Sequence, residues 1–310
     1  MTTPARTLRV GTRASELAKR QASRVVALLA ARGVVATLVP IRTSGDDRRV
    51  LPGPGVTGKG LFTKEIEDAL LAGRVDLGVH SLKDLPTDTP SGLLLAAFPE
   101  RADIRDAAIG RLPGGLEALP PRARVGTSSL RRRAALLATR PDLEVVPLRG
   151  NVPTRVRRVA AGELDAAVVA LAGLTRLDLI EGAVPLDPFR YPPAPGQGAL
   201  AVEIRAGDAA VLELVGPLDD PEVRRAVAAE RAALGALDGG CRAAIGAWCE
   251  GEGNGLILHV RVYAPDGSRS LDASSAVSAR EPEAAGLRAA DELLRAGAAE
   301  LIRAGANFEP

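Results

Sequence analysis

Residues 124–133 read RVGTSSLRRR, a glycine-hinged turn carrying two serines and then three arginines. Guanidinium forks match carboxylates bidentately and hydroxyls add neutral donors, so the chemistry on offer is capture of a carboxylate-rich ligand. A near copy, RVGTRAS, stands at 9–15 and contributes Arg13 and Ser15 beside Thr127, Ser128, Ser129, Arg131 and Arg132. Successive helical residues point about 100° apart, so at most two of the three arginines share a site, and Arg131 and Arg132 are the choice. LRGNVPTR adds Arg149, Asn151 and Arg155, while VDLGVHSLKDLP delivers Ser81, Lys83 and one carboxylate, Asp84. A single surface arginine in an ion pair is worth little; this many converging donors reads as a site.

The elements that must aim them form an internal repeat. Arg-Val-Gly-Thr precedes a helical pattern at 9–12 and again at 124–127. Each helix is followed by an apolar strand ending Val-Pro-[Ile/Leu]-Arg, at 39–42 and 146–149, then by a second helix closed by Ala-Gly-x-[Val/Leu]-Asp at 72–76 and 161–165. Strand–helix–strand–helix–strand written twice predicts two similar α/β lobes with mostly parallel sheets, like periplasmic binding proteins, their ligand-binding strand ends facing a cleft. Arg42 to Asp76 spans 34 positions but Arg149 to Asp165 only 16, and the surplus maps to 43–60, a Gly/Pro-rich loop suited to a lid. Beyond 205 the pattern changes: a helix at DPEVRRAVAAERAALGAL, strands at about 243–249, 256–264 and 270–278 with a hairpin signal APDGS, and a closing helix at 283–304 predict a small α+β domain.

Composition narrows the function. With 310 residues, 46% hydrophobic and 25% charged, there is material for two or three globular lobes. A net charge of +2 and 2% aromatics argue against a sequence-independent nucleic-acid binder, so no nucleic-acid partner is expected. The start MTTPARTLRVGTR has no apolar signal core, and apolar stretches such as 164–174 are interrupted before membrane-spanning length, which predicts a cytoplasmic protein with no membrane partner. Cys241 and Cys249 offer neither a disulfide framework nor a zinc pattern, and with His80 and His259 as the two histidines no metal site is expected. Cys241, on the glycine turn LDGGC, is a candidate nucleophile or attachment point, or an incidental loop thiol. GPGVTGKG at 53–60 imitates a phosphate-binding loop, yet Gly60 stands where a hydroxyl would hold magnesium; Lys59 suits a lid better than a nucleotide site.

RVGTRAS, GKGLFTKEIE, VDLGVHSLKDLP, RVGTSSLRRR, LRGNVPTR, APGQGAL and LDGGC, in this order from about residue 8 onward, together resemble the porphobilinogen deaminase (hydroxymethylbilane synthase) family. The resemblance implies a transferase of heme biosynthesis that joins four porphobilinogen molecules head to tail with loss of ammonia and releases hydroxymethylbilane by hydrolysis. It implies a dipyrromethane cofactor held by a thioether to Cys241, no metal or nucleotide, and a first lobe at 1–101 with 197–218, a second at 102–196 and the cysteine-bearing domain at 219–310. On that resemblance Ser81, Lys83, Asp84, Thr127, Ser128, Ser129, Arg131, Arg132, Gly150, Asn151 and Arg155 surround the cofactor. Arg13, Ser15, Phe62, Arg149, Arg155, Arg176 and Gln197 meet the substrate pyrroles, with Phe62 and Gln197 packing around the rings. Asp84 is the catalytic carboxylate: loss of ammonia leaves an electrophilic azafulvene, carbon attack leaves positive charge on the rings, and an anion bonded to pyrrole N–H groups stabilises it and relays protons. The pattern departs at LDGGCRAAIG, where the family commonly has Val-Pro for Ala-Ala. The rival reading is a noncatalytic bilobal anion-binding protein, against which Cys241 and the missing signal segment argue; a phosphate-utilising enzyme would require ATP or magnesium. No swap or coiled-coil signal is present, so a monomer is expected.

Overall fold

The computed structural model describes residues 7–43, 63–112, 114–238, 243–306 and 308. The chain divides into two compact units, Met1–Arg101 with Ala199–Arg224, and Ala102–Gly198 with Arg225–Pro310. In chain order the first unit holds β1 (Leu8–Arg13), α1 (Glu16–Ala30), β2 (Ala36–Ile41), α2 (Lys64–Leu71), β3 (Leu77–Ser81), a 3-10 turn at Leu82–Asp84 and β4 (Leu93–Ala97). The second begins with β5 (Asp106–Gly110), β6 (Arg124–Gly126), α3 (Leu130–Thr139), β7 (Glu144–Val146), α4 (Val152–Ala160), β8 (Ala166–Ala170), α5 (Leu171–Arg176) and β9 (Val184–Pro185). The chain then returns to the first unit through β10 (Leu200–Arg205) and α6 (Ala209–Val215). It closes with α7 (Pro221–Ala236), β11 (Ile245–Glu250), β12 (Ile257–Tyr263), β13 (Ser270–Ala276), α8 (Pro282–Arg295) and α9 (Ala298–Ala306).

The two five-stranded sheets have one plan, β2-β1-β3-β10-β4 and β7-β6-β8-β5-β9. Four strands in each run in one direction, and one, β10 or β5, is reversed between β3 and β4 or between β8 and β9. The expected parallel core is therefore present with one antiparallel strand inserted in each copy. Central strands carry continuous apolar runs because helices cover both faces: Leu8, Val10, Leu77, Val79, Leu200, Val202 and Ile204 are all buried in the first core. The Ala-Gly-x-x-Asp signature proves to be a latch. Asp76 accepts the Arg9 backbone N–H at 2.8 Å, and Asp165 accepts that of Arg124 at 2.7 Å. In each repeat the second helix is thereby tied to the start of the first strand.

β11, β12 and β13 form an antiparallel sheet whose inner face packs with α7, α8 and α9 around Leu258, Val260, Val262 and Leu293. The closing helix expected at 283–304 is two helices, because Gly297 adopts φ +99, a left-handed conformation that ends α8. Gly267, in the β12–β13 turn, has φ +75, and a Cβ there would meet the backbone nitrogen of Ala138 at 2.5 Å. Only a residue without a side chain lets this hairpin press against α3, the helix that carries the arginines. Among the described residues no helix is long and apolar enough to cross a membrane.

Candidate functional site

In the first unit the candidate residues gather where β1 and β3 end. Ser15 caps α1, its Oγ accepting the Ala18 N–H at 3.3 Å, so the chain leaves β1 at Arg13 and enters the helix without a wasted donor. Ser81 ends β3, and its Oγ receives the buried Gln21 Nε2 at 2.7 Å. Lys83 and Asp84 follow in the 3-10 turn, both exposed, and the Leu82 N–H donates to the carbonyl of Ala199 at 3.1 Å, anchoring the turn to the chain entering β10. This unit presents one carboxylate and one ammonium on a short, tightly held turn.

In the second unit Ser129 caps α3 by accepting the Arg132 N–H at 3.4 Å, and buried Thr127 Oγ1 accepts the Ser129 N–H at 3.2 Å; Ser128 is exposed. Arg131 and Arg132 turn inward, each more than nine-tenths buried, onto one carboxylate, Asp106 at the start of β5. Arg131 Nη1 lies 2.9 Å from Asp106 Oδ2 and Arg132 Nη2 2.7 Å from Oδ1. Arg131 also donates to the Pro192 carbonyl and Arg132 to that of Val168. Burial alone would raise the Asp106 pKa, but the two guanidinium charges and their hydrogen bonds outweigh it and hold the carboxyl well below the usual range. Arg133, on another face, donates to Val145 O at 2.8 Å and lies over the Phe308 ring.

Gln197 is fully buried, its amide donating to Ile104 O at 2.8 Å and to Asp106 Oδ1 at 2.9 Å. Asn151 caps α4 through the Thr154 N–H at 3.0 Å, and Arg155 Nε donates to Gly150 O at 2.9 Å. Burial, with the like charge of Arg132 added, brings the Arg155 pKa down to about 10. Gly150 has φ +109, and a Cβ would meet Thr154 Cγ2 at 2.9 Å, so LRGN needs its glycine to start α4 here. Arg149 is exposed, and Arg176 Nη2 donates to Gly198 O at 2.8 Å. Cys241, Phe62 and Lys59 lie outside the described residues. Among the described residues no group of three His, Cys, Asp or Glu side chains could hold a metal ion.

The fold thus gathers Thr127, Ser129, Arg131, Arg132 and Arg155 in one unit and Ser15, Ser81, Lys83 and Asp84 in the other. Sequence reasoning missed Asp106. Its signal was one acidic residue opening an apolar run, DAAIG, which looks like any strand start.

Two family models match the chain: "Porphobilinogen deaminase, dipyromethane cofactor binding domain" over residues 8–213 and "Porphobilinogen deaminase, C-terminal domain" over 224–295. Relatives named porphobilinogen deaminase include one from Rubrobacter xylanophilus, 47% identical over 94% of this chain and 95% of its own, and one from Roseiflexus castenholzii, 48% identical over 95% and 98%. Among solved structures, an ABC-transporter periplasmic substrate-binding protein from Coxiella burnetii is 16% identical over 69% of this chain and 92% of its own, with a TM-score of 0.44.

Proposed function

This chain belongs to the porphobilinogen deaminase family, and from that premise we propose how its residues carry out the polymerisation. The enzyme is a transferase of tetrapyrrole biosynthesis that joins four porphobilinogen molecules head to tail with loss of ammonia and releases the linear hydroxymethylbilane. Each pyrrole bears an acetate and a propionate, so the growing chain accumulates negative charge. The observation that carries the reading is the buried arginine pair: Arg131 and Arg132 together hold one positive charge more than Asp106 neutralises, and Arg132 Nε is buried without a hydrogen-bond partner.

These residues fit a dipyrromethane, whose carboxylates would supply the missing anions and whose free pyrrole carbon supplies the nucleophile for chain growth. On the family resemblance, Arg131, Arg132, Arg155, Thr127, Ser128, Ser129, Gly150, Asn151, Ser81 and Lys83 would hold it. The attachment point is Cys241, by a thioether. Arg13, Ser15, Phe62, Arg149, Arg155, Arg176 and Gln197 meet the incoming pyrroles, Gln197 also bonding Asp106, and Lys59 belongs to the lid.

Asp84 accepts pyrrole N–H groups and holds the negative charge that offsets the cation developing on the substrate ring; an amide in its place would keep the hydrogen bonds and lose the charge. The protein works as a cytoplasmic monomer organised as lobes 1–101 with 197–218 and 102–196, and a domain at 219–310. A noncatalytic anion-binding role is not favoured, since the relatives at this level of identity are named for the deaminase reaction.

Intact mass of the purified protein, with peptide mapping, tests the reading. An increment of two linked pyrroles on the Cys241 peptide is expected; a chain that stays unmodified after incubation with porphobilinogen would remove both cofactor and attachment site.

A further inference from the structure

Behind the turn that carries Asp84, the first unit buries three ionisable side chains that the polymerisation does not use. His80 and Glu203 are almost wholly buried, His80 Nε2 standing 3.2 Å from Glu203 Oε2. Glu67 of α2, also buried, completes the group: burial raises its pKa, the Glu203 charge raises it further, and Thr63 and His80 pull the other way.

The second unit shows what the same fold does without them. Gly11 pairs with Gly78 and Gly126 with Ala167, which puts β3 and β8 in correspondence. Glu203 pairs with Gly78 and Ile109 with Ala167. Glu67 and Val156 each stand five residues before the alanine that ends the helix, Ala72 or Ala161. Glu67, His80 and Glu203 therefore correspond to Val156, Val169 and Ile109, which pack in one apolar core. The repeat does not need charge at these positions.

The two copies differ beyond the strand end. β8 runs directly into α5, whose own hydrogen bonds hold the strand end. β3 runs into three residues of 3-10 turn and then non-repetitive chain up to β4. Leu85, Pro86, Asp88 and Thr89 of that chain line one small cavity with Glu67 and Glu203. Apolar contacts are non-directional and let a strand end shift, whereas His80 and Glu203, buried 3.2 Å apart on neighbouring strands, tolerate little displacement of either. On the opposite face Gln21 holds Ser81, so β3 is gripped from both sides one residue apart.

We propose that Glu67, His80 and Glu203 are positioning residues that hold the end of β3, and with it Asp84, in catalytic register. The proposal depends on Asp84 being the catalytic carboxylate.

The test exchanges the trio for its counterparts: Glu67→Val, His80→Val and Glu203→Ile in one protein. Replacing both polar partners of a buried contact by apolar residues is often neutral or stabilising, so the variant should melt no lower than the parent and carry its cofactor by intact mass. Its KM should stay within about twofold while kcat falls about 10- to 100-fold, the scale expected when a reacting group moves by an ångström. His80→Gln, which keeps a polar side chain facing Glu203, should recover most of that loss. A triple variant with kcat within twofold of the parent, one that does not fold, or a His80→Gln protein as slow as the triple variant would each overturn the proposal. Asp84→Asn is assayed alongside: an active Asp84→Asn removes the reading of Asp84, whereas an inactive one beside a fully active triple variant removes the trio alone.

Discussion

At the ends of β1 and β6 the chain runs through the same four residues, Arg-Val-Gly-Thr, into a serine-capped helix, and there the two copies part. The first helix opens Glu16-Leu17-Ala18 after its cap, the second Leu130-Arg131-Arg132. Glu16 suits the positive end of a helix dipole; two arginines in that turn oppose it. They are accommodated because Asp106 stands against them, and Asp106 pairs with Ala170 across the sheet just as Leu200 pairs with Ser81 in the other copy. One copy thus puts its buried charge at the strand end beneath the arginines. The other puts an apolar leucine there and buries charge three residues deeper, at Glu203. The difference teaches that a duplicated frame was specialised by a few buried residues: one half became a cationic nest, the other a mounting for a carboxylate.

The largest effect should come from the exposed half. Asp84→Asn is expected to lower turnover about 10²- to 10⁴-fold with little change in melting temperature and with cofactor retained by mass; near-normal turnover would place the chemistry elsewhere. In the buried half the order reverses, stability before rate. Asp106→Asn leaves two guanidinium groups facing each other without their anion and should cost about 3–5 kcal/mol in urea unfolding. Because the folded Asp106 carboxyl is held below its ordinary value, the stability it adds is present above roughly pH 4 and is lost as pH falls further. Unfolding free energy should therefore fall more steeply between about pH 5 and pH 3 in the parent than in Asp106→Asn; equal slopes would show that the arginines do not depend on this anion.

Gly150→Ala tests the α4 start, where φ is +109 and a Cβ crowds Thr154. A loss of about 1–3 kcal/mol is expected from the strain, with Arg155 displaced and KM raised; an unchanged melting curve and KM would show that the turn yields freely. The smallest effects should be at the two caps. Ser15→Ala and Ser129→Ala should each cost about 1 kcal/mol, alike in stability because the caps are alike. Only Ser129→Ala should reduce the fraction of protein carrying cofactor. Equal cofactor loading in both would mean that Ser129 serves its helix and nothing more.

The duplicated α/β frame was legible in the sequence because its signals are short patterns repeated in order: apolar strands, helix starts and the Ala-Gly-x-x-Asp signature; that the signature's Asp latches a strand 67 or 41 residues earlier was not. That no more than two of the three arginines could face one partner was legible too, since helical spacing forces consecutive residues apart. Local periodicity could not reveal what those arginines face. Asp106 lies 25 residues before Arg131, on a strand that pairs only after the chain has crossed the sheet, and Gln197 reaches it from 91 residues further along. Likewise, nothing in VDLGVHSLKDLP says that His80 meets a glutamate 123 residues away, because β10 joins β3 only when the chain returns to the first unit. Residue types and spacing determined the frame and the donors it presents. Which buried charges oppose which was decided by strand order, because burial turns a distant carboxylate into the nearest partner a guanidinium or imidazole can have.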